Sequence, residues 1–204
     1  MKNILIKVEN LVKTFGGLVA LNDCSLEIQD KAITGIIGPN GSGKTTLFNV
    51  ITGNLKPDTG KVFYNGVEIT NEESHDLFHL GVLRTFQIAH EFSNMTVIEN
   101  LMVVPGNQKG EKLLYSLMNS QKIKKEDELI KDKAMEVLKF LKIEHLKNER
   151  AGNLSGGQKK LLELARTMMV DAKLVLLDEV GAGVNKTLLR DISDSILKLN
   201  QEKG

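Results

Sequence analysis

The nonapeptide GPNGSGKTT, residues 38–46, constrains this chain more than any other feature. It fits the phosphate-loop pattern G-x-x-x-x-G-K-[ST], whose setting is the junction of a strand and a helix. The flanks promise both. AITGIIG, residues 32–38, is a short apolar run read as a strand, and Leu47, Val50 and Ile51 follow at helical spacing. Gly41 and Gly43 let backbone amides turn inward around phosphates, and the helix behind them points its positive dipole end at the same place. Lys44 is placed to reach β and γ phosphates, and Thr45 to offer a hydroxyl to Mg²⁺.

A second motif gives the first its chemistry. The apolar run LVLL ends in Asp178 and Glu179, two carboxylates at the C-terminal end of a strand that reads as buried and parallel. Open α/β sheets bind ligands there. Asp178 suits the metal shell, and Glu179 suits a water in line with the γ-phosphate. Alone, such a run is as often a strand entering a polar loop; the phosphate loop upstream gives the pair its meaning. The third motif, LSGGQ at residues 154–158, is a glycine-rich turn opening a helical pattern through Leu161, Leu164, Ala165 and Met168. Ser155 is read either as a helix N-cap or, with the amides of Gly156 and Gly157, as part of another anion site.

Around these motifs the chain divides by pattern. Two β-like runs, Ile4 to Val8 and Ser25 to Gln29, lie either side of Gly16-Gly17 and read as antiparallel strands; KVFY and VEI flank Asn65-Gly66, a dipeptide suited to a two-residue hairpin turn. Residues from about 107 to 141 are rich in Lys and Glu, with Ile130, Ala134, Val137, Leu138 and Leu141 at helical spacing. This is a helical insert, and KIKKEDELIKDK within it is a solvated face. With 27 basic and 26 acidic side chains, the net charge of +1 gives no general affinity for nucleic acid or anionic lipid. One cysteine, Cys24, cannot form an intramolecular disulfide, and no apolar run approaches the roughly 18 to 20 residues that span a bilayer.

Phosphate loop, LSGGQ and LVLLDE, in that order, resemble the ATP-binding subunits of ABC transporters over essentially the whole chain. The resemblance implies an α/β fold: a P-loop NTPase core of the RecA-like type, an N-terminal antiparallel β subdomain and a helical subdomain specific to the family. Residues 1–87 and 160–204 are expected to form the core with its β portion, and about 88–159 the helical part with LSGGQ. The resemblance further implies ATP with Mg²⁺ as cofactors and a head-to-tail dimer of identical or different subunits, in which Ser155, Gly156 and Gly157 act in trans. The loop residues Gly38, Pro39, Asn40, Gly41, Ser42, Gly43, Lys44, Thr45 and Thr46 then hold the nucleotide. Phe15 matches an aromatic that stacks on adenine. Gln87, in RTFQ, matches a glutamine that touches Mg²⁺ and the attacking water. Thr45, Gln87 and Asp178 form the metal set, with Glu179, Lys44 and Gln87 catalytic. Asn185 stands where many relatives carry Asp, and Val180 where most have Pro.

FGGLVALND, TTLFNVITG, LRTFQIAHEFSNMTVIENL and AGNLSGGQKKLLELART look like the importer branch for branched-chain or other hydrophobic amino acids. That implies membrane permease subunits, indirectly a substrate-binding protein, and a place on the cytoplasmic face of the cell membrane. The alternatives are the ATPase of another transporter, such as a lipid or lipopolysaccharide exporter, or a non-transport ABC ATPase on ribosomes or DNA. Paired cassettes, long coiled coils and basic arms are not visible. The closing stretch ILKLNQEKG continues a helix with Leu188, Ile192, Ile196 and Leu199 on one face, which Asn185 could cap. The family continues with a strand ending in a histidine on the γ-phosphate, placed between the phosphate-loop strand and the Asp-Glu strand. His75, His79, His90 and His145 all precede Asp178 and read as surface or loop residues. The 204 residues are therefore expected to be a fragment of a longer reading frame, aggregating or turning ATP over slowly in isolation.

Overall fold

A computed structural model describes residues 3–85, 91–106, 108, 120–170, 172–178, 181, 184 and 186–203. They fall into two compact units: Met1–Arg84 with Lys173–Asp178 and Ile196–Gly204, and Thr85–Ala172 with Glu179–Ser195.

The first unit is built on a four-stranded antiparallel sheet in the order β2-β1-β3-β4. Its strands are β1 (Ile4–Phe15), β2 (Leu18–Gln29), β3 (Thr59–Tyr64) and β4 (Val67–Glu68). β1 and β2 run from the pair Ile4 and Gln29 to the pair Phe15 and Leu18, so Gly16-Gly17 is the tight turn between them. Both strands are longer than the apolar runs that announce them. Asn10 and Asp23 interrupt the pattern, each at positive φ, and the Asn10 amide donates to the Asp23 carboxylate at 2.6 Å. The ladder shifts register there and continues. Asn65 (φ 48°) and Gly66 (φ 78°) form the β3–β4 turn in the left-handed region that a two-residue hairpin needs.

Ile6, Val8, Leu11 and Val62 turn inward from the sheet against Leu47, Val50 and Ile51 of α1 (Lys44–Ile51) and Leu77 of α2 (Ser74–His79), forming one buried cluster. The cluster also takes Val82 of β5 (Val82–Arg84) and Leu176 of β6 (Leu174–Leu176). These two strands pair in parallel, with Val82 opposite Leu174 and Arg84 opposite Leu176. The strand expected at residues 32–38 is not formed: among the described residues it has no ladder partner. Ile36 packs on the core, but Ile33 is 54% and Ile37 98% exposed. An apolar run becomes a strand only when a neighbour accepts and donates its backbone hydrogen bonds.

The second unit is helical. α3 (Val97–Met102) starts from a capping box in which Thr96 and Glu99 exchange bonds; the Thr96 amide and hydroxyl hold the Glu99 carboxyl below its usual range. α4 (Ser120–Phe140) buries Ala134, Val137 and Leu138 and leaves most of KIKKEDELIKDK in solvent. α5 (Gly156–Met168) buries Leu161, Leu162, Leu164, Ala165 and Met168. Lys133 on α4 donates to the Met169 carbonyl at 2.9 Å, a cation at the C-terminal end of α5 where the helix dipole favours it. α6 (Lys186–Lys203) begins in this unit and its last turns belong to the first; it buries Ile192 fully. Asn185, the cap expected for it, lies outside the described residues, and no described helix is long and apolar enough to cross a membrane.

Candidate nucleotide site

The phosphate loop enters α1 without a capping side chain. Gly43, at φ 87°, is the N-cap, no acidic residue sits in the first turn, and the early amides are left to an outside acceptor. Gly43 cannot be anything larger. A β-carbon there would collide with the Ala20 carbonyl oxygen and press on Leu21 at 3.1 Å. That close approach fixes the loop against β2, the strand whose first residue, Leu18, pairs with Phe15. Pro39, Asn40, Gly41 and Ser42 are exposed, Gly38 and Thr46 half-buried, and the Ser42 amide closes a turn on the Pro39 carbonyl at 3.2 Å. Lys44 folds back over this turn, its ammonium donating to the carbonyls of Gly38 and Pro39, each at 2.8 Å.

Behind the loop stands Asp178, just past β6 and only 5% exposed. Thr45 Oγ1 donates to its Oδ2 at 3.3 Å, joining two residues 133 positions apart. Arg84 Nη2 donates to the same oxygen at 3.0 Å, and Arg84 Nη1 donates to Asn49 Oδ1 on α1. A hydroxyl and a carboxylate side by side are hard oxygen donors of the kind a small divalent cation takes.

Phe15 ends β1 with 48% of its surface exposed, so it is not a core aromatic, and the Lys13 ammonium lies 5.8 Å from its ring centre. Its approach is held by Asp58. That carboxylate accepts from Lys13 Nζ at 2.8 Å and from both the amide and the hydroxyl of Thr14 at 2.7 Å. The lysine first, then the threonine, hold Asp58 down at about 2.

In the second unit Ser155 is the N-cap of α5: its hydroxyl accepts from the Gln158 amide at 3.4 Å and Gln158 Oε1 accepts from the Ser155 amide at 2.9 Å. Accepting through a lone pair leaves the hydroxyl proton to donate outward, so the cap and an anion contact are compatible. Gly156 and Gly157 form the first turn of the helix, and a β-carbon on Gly157 would strike Leu188 of α6. Lys159 pairs with Glu91 at 2.6 Å, and Arg166 lies over the Phe92 ring at 5.4 Å. Burial pushes Glu91 up most strongly of any single cause, but the Lys159 bond and ion pair, a backbone amide and the Ser93 hydroxyl together outweigh it and leave its carboxyl below the usual range; burial lowers Arg166. Gln87 and Glu179 lie outside the described residues, as do His90, Val180, Ala182 and Gly183. His75, His79 and His145 are exposed, as expected.

No motif in the sequence points to Arg84, Asn49, Asp58 or Asn100. The signal for Arg84 was a charged residue closing an apolar strand three positions before Gln87. Asn100 is wholly buried, accepting from the Phe92 amide at 2.8 Å and donating to the carbonyls of Thr96 and Phe92 at 2.9 and 3.1 Å.

The family model for the ABC transporter matches residues 21–182. This chain belongs to the ABC transporter family. A protein of Archaeoglobus fulgidus named "Probable branched-chain amino acid transport ATP-binding protein LivG" is 46% identical over 197 residues, which is 97% of this chain and 76% of that relative. The crystal structure of an ATP-binding cassette of an ABC transporter in its ADP conformation superposes with a TM-score of 0.82 at 44% identity, over 98% of this chain and 78% of that one. A dimeric bacterial ABC transporter cassette matches with a TM-score of 0.80 at 25% identity, over 98% of this chain and 84% of that one. As an ABC cassette the chain is a nucleotide-binding ATPase with the α/β P-loop fold expected from its sequence.

Proposed function

We propose that this chain is the ATP-binding and hydrolysing subunit that powers import of branched-chain or other hydrophobic amino acids through membrane partner subunits, from the cytoplasmic face of the membrane. The observation that carries the site is the meeting of Thr45 and Asp178 beside an uncapped helix N-terminus. The transport role is supported by the likeness to the Archaeoglobus protein over nearly the whole chain.

In this reading residues 1–87 and 160–204 are the ATPase core and 88–159 the helical part with LSGGQ. The amides of residues 41–46 hold the phosphates, Lys44 exchanges its loop carbonyls for β and γ oxygens, and Phe15 stacks on adenine. Thr45, Asp178 and Gln87 hold Mg²⁺, which supplies positive charge to the phosphate oxygens when bound. Glu179 orients and polarises the attacking water. Ser155, Gly156 and Gly157 close a second subunit's site, so each site needs two chains; the match to a dimeric cassette agrees with this.

Glu179→Gln tests the reading. With ATP it is expected to accumulate a dimer on size exclusion, because closure proceeds while hydrolysis stalls. A variant that binds ATP yet stays monomeric at every protein concentration would sink the two-chain mechanism.

A further inference from the structure

The ion pair of Arg84 and Asp178 is built in a place where it does little for stability. The two side chains are 9% and 7% exposed, and burying such a pair removes both charges from water. Arg84 Nε is buried and has no hydrogen-bond partner among the described residues, a further cost of seating the guanidinium here. The other two nitrogens are aimed: one at Asn49 on α1, the other at the carboxylate oxygen that also receives the Thr45 hydroxyl. Asp178 Oδ2 thus already faces a positive charge on the side that joins it to the phosphate loop.

We propose that Arg84 is a resident counter-ion for Asp178, balancing the carboxylate while no divalent cation is bound and competing with that cation for it. Among the described residues Arg84 bonds to Asp178 and Asn49 and to none of the loop residues 38–44, which makes it a positioning residue. This rests on the nucleotide-site reading above. Like charges repel, so a dication arriving at Thr45 and Asp178 meets the guanidinium's field and must share or displace its bond. Asn49 offers Arg84 a place to remain when it lets go, because that second bond does not involve the carboxylate. The consequence is a threshold: Arg84 sets how much magnesium is needed before nucleotide binding becomes metal-coupled.

The test titrates a fluorescent ADP analogue onto the chain in EDTA and then across magnesium concentrations, for the wild type, Arg84→Gln and Arg84→Lys. In EDTA the Gln variant is expected to bind within about twofold of wild type, while its half-saturating magnesium falls by about tenfold, a change of one pK-like unit in the competition. Arg84→Lys, which keeps the charge, should stay near wild type. A folded Gln variant whose magnesium requirement is unchanged or higher overturns the proposal, since a merely structural pin would alter melting and not the metal dependence. Should Arg84→Gln fail to fold, the wild type itself answers: the Arg84 side-chain N–H resonance, assigned by its loss in Arg84→Lys, should shift with ADP and magnesium together but not with ADP alone. A resonance indifferent to magnesium overturns the idea. Wild-type protein that binds no nucleotide even in EDTA would fell the nucleotide-site reading itself, a different result from either.

Discussion

Replacing Asn100 with Ala removes a buried amide that ties the segment after residue 91 to α3. The magnitude follows from what each partner has left. The Thr96 carbonyl still accepts the helical bond from the Asn100 amide at 2.9 Å, and the Phe92 carbonyl still accepts from the Met95 amide at 2.9 Å. Only the Phe92 amide loses its acceptor. Phe92 itself is half exposed, so water can reach part of this segment. One orphaned donor together with the lost bonds amounts to about 1–3 kcal/mol rather than the sum of every contact. Asn100→Asp should be worse, at about 3–5 kcal/mol, because it turns an acceptor with no proton toward carbonyl oxygens in a fully buried place. Amide hydrogen exchange isolates the effect: protection of Phe92 should fall roughly 5- to 150-fold in Asn100→Ala. Unchanged exchange, or an Asp variant milder than the Ala variant, refutes the reasoning.

Three further outcomes follow from the geometry. Lys44→Ala should weaken nucleotide binding by about 10- to 100-fold, the worth of a charge-assisted bond or two, with little change in melting, as read by fluorescent nucleotide titration. Gly157→Ala should shift urea unfolding by less than about 1 kcal/mol, since the atom that an added β-carbon meets is the tip of the Leu188 side chain, which can turn aside, and alanine is the better helix former; a loss above about 2 kcal/mol would show that Leu188 cannot give way. Asp58 sits at about 2 when folded, below the value near 4 of an unfolded Asp, so its contribution is full above pH about 4 and lost as pH falls toward 2. The melting difference between wild type and Asp58→Asn should therefore shrink across that acid window, and a gap that stays constant to pH 2 would contradict the assignment.

Local motifs made much of this molecule legible. Asn65-Gly66 named its own turn, and the spacing of Leu161, Leu164, Ala165 and Met168 named the buried face of α5. Strand lengths were hidden by Asn10 and Asp23, polar residues that break an apolar pattern but carry the ladder through a shift of register. Residues 32–38 show the opposite failure, since apolar character promises burial but cannot supply a neighbouring strand. The site was half visible. Thr45 and Asp178 belong to motifs and could be paired in advance, whereas Arg84 meets Asp178 across 94 positions and Asn49 across 35, distances over which no local pattern speaks. Asp58 looked like a turn residue, and only the fold revealed Thr14 and Lys13 beside it.

The lysine of the phosphate loop carries one more consequence. A free lysine side chain holds about 2 kcal/mol of rotamer entropy, and fixing it is normally part of the cost of binding. Here the carbonyls of Gly38 and Pro39 already fix the ammonium of Lys44. Folding, not the ligand, has restricted that side chain, so an arriving phosphate exchanges one set of acceptors for another without ordering it anew. The loop meets its nucleotide preorganised, and affinity is governed by how well phosphate oxygens replace two backbone carbonyls.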